Sequence, residues 1–62
     1  MESLEYQIVG EINLIVDRLN TIQRALTKVP GYHNMSKFEL SGEFRELSSQ
    51  FLRLERLADD YF

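Results

Sequence analysis

The chain contains no cysteine, and its 62 residues include one histidine and one proline. Without cysteine the fold cannot use a disulfide, and a single histidine leaves too few ligands for a structural zinc site. No apolar run approaches the roughly 18 residues of a membrane span, and the opening Met-Glu-Ser-Leu-Glu lacks the features of a signal peptide. We therefore expect a soluble, cytoplasmic protein.

Charge and motifs argue against several classes of function. Seven basic and ten acidic side chains give a net charge of -3, which opposes the phosphate neutralisation on which nucleic-acid binding depends. No catalytic, metal-binding or phosphate-binding motif stands out, and the lone His33 lies in a predicted turn without a Ser-Asp constellation beside it. We expect no enzymatic activity, no cofactor, and no nucleic-acid, membrane or small-molecule partner.

The first half of the chain carries one apolar stripe. Its members are spaced alternately four and three positions apart, which places them on one side of an α-helix. They are Ile8, Ile12, Ile15, Leu19, Ile22, Leu26 and Val29. Ser3 is a candidate N-cap, and Glu5 puts negative charge near the positive end of the helix dipole. The pattern predicts a helix from about residue 3 to residue 28.

A turn separates this helix from the second half. Pro30 disfavours helical geometry at the residue before it, and Gly31 can adopt the positive φ that reverses a chain. Ser36 and Glu39 have the S-x-x-E spacing of a capping box, which predicts the start of another helix. The turn is therefore expected over about residues 29–35.

The second half repeats the pattern with a stripe of equal length. Its members are Leu40, Phe44, Leu47, Phe51, Leu54, Ala58 and Tyr61. They predict a helix over about residues 37–61. Each helix of about 25 residues would be roughly 37 Å long, so a short connection folds the two side by side. We predict an all-α, two-helix antiparallel hairpin that forms one domain over residues 1–62.

These two helices carry more apolar residues than they can bury against each other. Val9, Val16 and Leu57 widen the stripes, and Leu14 and Leu52 lie further round. We expect a second copy to cover this surplus, giving a homodimeric four-helix bundle; a larger protein with a helical groove is the alternative partner. The predicted hairpin or oligomer core comprises Ile8, Ile12, Ile15, Leu19, Ile22, Leu26, Leu40, Phe44, Leu47, Phe51, Leu54 and Tyr61. The candidate partner contacts are Leu14, Leu52 and Leu57.

An antiparallel hairpin also separates charge along its length. The end with the chain termini holds Glu2, Glu5, Asp59 and Asp60. The turn end holds Arg24, Lys28, His33 and Lys37. Two interpretations stay open: either end receives a partner of opposite charge, or both ends are simply solvated.

One run in the second predicted helix has a parallel in a known family. The run Ser41-Gly42-Glu43-Phe44-Arg45 stands where sporulation-type aspartyl-phosphate phosphatases carry S-Q-E-L-D, and residues 11–51 resemble those small helical hairpins in outline. Proteins of that family act on phosphorylated response regulators. Gly42, Phe44 and Arg45 depart from the family's pattern, and Arg45 replaces its essential aspartate. The resemblance therefore does not carry the family's chemistry over to this chain.

The function expected from these observations is protein-protein interaction without catalysis. The chain would act as a small adaptor, an inhibitor or an assembly subunit through helical packing. The first alternative is a phosphatase-like regulator of a phosphorylated response regulator, which would depend on Glu43. The second is a DNA-binding hairpin whose turn-end cations contact phosphates.

Overall fold

Two α-helices packed against each other form the fold. The computed structural model describes residues 3–27 and 34–62, with helix α1 at Leu4–Leu26 and helix α2 at Lys37–Tyr61. Contacts between the helices join residue 11 to residue 53 and residue 18 to residue 43, so the helices run antiparallel. The predicted all-α hairpin is confirmed, and its dimensions are 40 × 19 × 17 Å. The four-helix bundle stays a prediction.

Both helices begin at the serine caps that the sequence predicts. The Ser3 hydroxyl accepts a hydrogen bond from the Tyr6 backbone N–H at 3.1 Å, and the Ser36 hydroxyl accepts one from the Glu39 backbone N–H at 3.1 Å. Each cap satisfies one N–H group that has no partner inside the first turn. The bounds of α2 match the predicted range.

Helix α1 ends slightly before the predicted residue 28. Thr27 caps it: both its backbone N–H and its hydroxyl donate to the Gln23 carbonyl at 2.9 Å. Residues 28–33, which include the predicted turn residues Pro30 and Gly31, lie outside the described residues.

The core between the helices is small. Only four apolar side chains are buried in the described part of the chain: Ile15, Ile22, Ala25 and Leu47, at 4–6% exposure. Leu40 and Leu54 pack partly buried against this cluster. Apart from Ala25, these residues form one core row in each helix with a seven-residue spacing: Ile15 and Ile22 in α1, and Leu40, Leu47 and Leu54 in α2.

Half of the predicted core residues remain accessible in the hairpin. Ile15, Ile22 and Leu47 are buried, and Ile8, Leu40 and Leu54 are partly buried. Ile12, Leu19, Leu26, Phe44, Phe51 and Tyr61 are 43–59% exposed. The residues four positions after each core residue are apolar. The residues three positions after, on the other side, are polar near the middle of the hairpin and apolar at Ala25 and Leu57. The helices meet on the polar side, where α1 and α2 exchange hydrogen bonds.

We predict that Leu47→Ala lowers the free energy of unfolding by about 2–4 kcal/mol, because it leaves a cavity in a core that has four buried apolar residues among those described. Leu52→Ala, in the same helix but 48% exposed, should cost less than half as much. Urea unfolding followed by circular dichroism at one protein concentration measures both. Equal losses would contradict the assigned core.

Candidate functional site

Arg18 of α1 joins two residues of α2 across the hairpin. Its Nε donates to Gln50 Oε1 at 2.9 Å, and its Nη1 donates to Glu43 Oε2 at 2.5 Å. Gln50 is 9% exposed, and the Arg18 and Glu43 side chains are 28% and 26% exposed. Partial burial strengthens these charge-assisted hydrogen bonds relative to an exposed ion pair.

A second, looser pair lies nearer the chain ends. Arg53 Nη1 of α2 is 3.5 Å from Glu11 Oε1 of α1, with the two side chains 62% and 15% exposed. The other Glu11 carboxylate oxygen, Oε2, is buried and accepts no hydrogen bond within the described residues. Glu11, Arg18, Glu43, Gln50 and Arg53 together are called the polar face below.

Surface clefts follow this polar face and include two of the three candidate partner contacts. Leu14 lies beside Arg18 and Glu43 in one cleft, and beside Leu57 and Tyr6 in the other. The structure thus brings Leu14 and Leu57 together. Leu52 lines neither of these clefts and is 48% exposed.

Helix geometry places a second, different face opposite the polar one. Each buried core residue points at the other helix; the residue three positions later lies to one side, and the residue four positions later lies to the other. Arg18 and Gln50 each follow a core residue by three, and their hydrogen bond shows that these sides coincide. Leu19 and Phe51 each follow one by four and therefore share the opposite side.

That opposite side is apolar and lies uncovered in the hairpin. We call it the apolar face; it consists of Val9, Ile12, Val16, Leu19 and Leu26 from α1 and Phe44 and Phe51 from α2. All seven side chains are 43–59% exposed. The face therefore gathers seven of the thirteen large apolar side chains that are exposed in the described residues.

The phosphatase-like run lies at the border between the two faces. Glu43 belongs to the polar face and bonds Arg18, whereas Phe44 belongs to the apolar face. Arg45 is exposed. The carboxylate on which the phosphatase alternative depends is thus engaged with a guanidinium of α1.

Within residues 3–27 and 34–62, no three His, Cys, Asp or Glu side chains are grouped closely enough to hold a metal ion. In the same ranges no helix has the length and apolar content needed to span a membrane. His33 lies outside them.

Comparisons of the chain with protein-family models, with curated proteins and with solved structures found no match.

The polar face is the feature that the sequence analysis did not predict. Glu11 and Arg18 follow Ile8 and Ile15 by three positions, a spacing that also places residues on the side of a helix that faces its neighbour. That spacing was the available signal. Long charged side chains are usually solvent-exposed, so the sequence pattern favours the apolar neighbours one position further on, Ile12 and Leu19, as core residues.

We predict that double-mutant cycles separate the two ion pairs. Arg18→Ala and Glu43→Ala should show a coupling energy of about 1 kcal/mol, because both groups are largely shielded and well aligned. The cycle of Arg53→Ala with Glu11→Ala is the matched control and should give under about 0.5 kcal/mol, because Arg53 is mostly exposed. Urea unfolding of all six variants gives both values. Equal coupling in the two cycles would contradict the assigned difference.

Proposed function

We propose that this chain is a non-enzymatic protein-protein interaction module of the cytoplasm that binds through its apolar face, and that its partner is a second copy of itself. In this proposal it acts as an adaptor, an inhibitor or an assembly subunit, regulatory in effect and without catalysis. The observation that carries the proposal is the uncovered apolar face on a hairpin whose own core is small.

The area of the apolar face supports a partner of protein size. A fully exposed large apolar side chain presents roughly 150–200 Å², so seven at about half exposure present on the order of 600 Å². Soluble monomers rarely expose larger contiguous apolar patches than this. Two such faces together would bury about 1,200 Å², which is the lower bound for a stable, specific interface.

The remainder of the surface supports the choice of this face. On the polar face, Arg18, Glu43 and Gln50 bond one another, so a partner that covered them would have to desolvate groups whose partners are already present. On the apolar face, burial removes hydrocarbon from water, and the seven side chains that define the face carry no charge. A larger protein with a helical groove would use the same face for the same reason.

We predict that a charge on the apolar face disrupts self-association. Ile12→Glu in α1 and Phe51→Glu in α2 should each weaken the dimer at least tenfold, because a carboxylate would be buried among apolar side chains. A matched control lies close by in sequence: Leu14→Glu starts from similar exposure but lies in the cleft beside Arg18 and Glu43, on the side of the polar face. Sedimentation equilibrium measures the dissociation constants.

Two results would contradict this proposal. If the unaltered chain were monomeric and fully helical at micromolar concentration, it would not self-associate. If Leu14→Glu weakened the dimer as much as the other two variants, the interface would not lie on the apolar face.

A further inference from the structure

Charge is distributed unevenly along the hairpin. In the half with the chain ends, residues 3–15 and 50–62, five carboxylates face two guanidinium groups: Glu5, Glu11, Glu55, Asp59 and Asp60 against Arg53 and Arg56. In the half with the turn, the described residues 16–27 and 34–49 carry four acidic and four basic side chains. One end is therefore acidic and the other is balanced.

We propose that the two copies pack apolar face against apolar face with their turns at opposite ends of the bundle. This inference rests on the proposed function and specifies its geometry. With the turns at the same end, the two acidic halves would lie side by side and repel each other. With the turns at opposite ends, each acidic half lies against a balanced half, and the repulsion is reduced.

This arrangement fixes which helices meet. A two-fold axis that puts the turns at opposite ends lays α1 antiparallel against the α1 of the other copy, and α2 against the other α2. With the turns at the same end, α1 would instead pack against the other α2, and the two α2 helices would lie diagonally across the bundle. Contact between the two α2 helices therefore distinguishes the arrangements.

Ser48 is well placed to report that contact. It lies on the stripe of Phe44 and Phe51, four positions after the first and three before the second, and it is exposed. Arg18 contacts residues 43 and 50, which places Val16 and Ser48 at about the same level near the middle of the hairpin. Near a two-fold axis at that level, Ser48 approaches its own copy.

Ser41 supplies the matched position. It is exposed on the same side of α2, seven residues before Ser48, or about 10 Å along the helix. In antiparallel α2 helices the two copies of Ser41 are displaced from the two-fold axis in opposite directions. They would therefore be roughly 20 Å apart, too far for a disulfide. Between diagonal helices Ser41 and Ser48 would be equally far from their own copies.

Single cysteines test the arrangement cleanly because the chain contains none. We would oxidise the full-length Ser48→Cys and Ser41→Cys variants mildly, at a concentration where sedimentation shows the dimer, and follow covalent dimer on non-reducing gels. We expect Ser48→Cys to cross-link at least tenfold faster than Ser41→Cys. Adding Phe51→Glu to Ser48→Cys should remove this advantage, and circular dichroism checks that each variant is helical.

The outcomes separate the inference from the proposed function. Equal or faster cross-linking of Ser41→Cys in a protein that sediments as a dimer would overturn the opposite-end arrangement while the interaction module stands. A chain that sediments as a folded monomer would overturn both.

Discussion

In each helix the core residues form a row with a spacing of seven positions. The structure depends on which side of this row faces the other helix. They meet on the side of Arg18, where a guanidinium of α1 bonds Glu43 and Gln50 of α2. Because one side of each helix contacts the other helix, Leu19 and Phe51 on the opposite side point away from the contact. The uncovered apolar face is the direct consequence, and the proposed partner follows from it.

The polar residues at the contact also bear on specificity. Replacing such a network by apolar residues often costs nothing in stability, whereas breaking it leaves an uncompensated charge. Arg18 lies between partners seven residues apart on α2, so a shift of α2 along α1 by a turn would remove at least one of its hydrogen bonds. We infer that the polar face selects the hairpin's register, while the apolar rows supply most of its stability.

Sequence periodicity predicted much of this molecule but not the division into two faces. The helices, both serine caps and the core rows through Ile15, Ile22 and Leu47 were predictable, because spacing and capping are local properties of the chain. The side of contact was not predictable, because residues three and four positions after a core residue lie at similar angles on either side of it. Pairing between Arg18 and Gln50, 32 residues apart, decides it.

A small core and a large uncovered face connect folding to association. With four buried apolar residues among those described, the isolated hairpin gains little from burial, and a bound partner stabilises the folded state by mass action. The most direct test is the helical circular dichroism signal of the unaltered chain as it is diluted from micromolar to nanomolar concentration. We expect helicity to fall as the dimer dissociates. Full helicity at every concentration, with a monomeric mass, would contradict it.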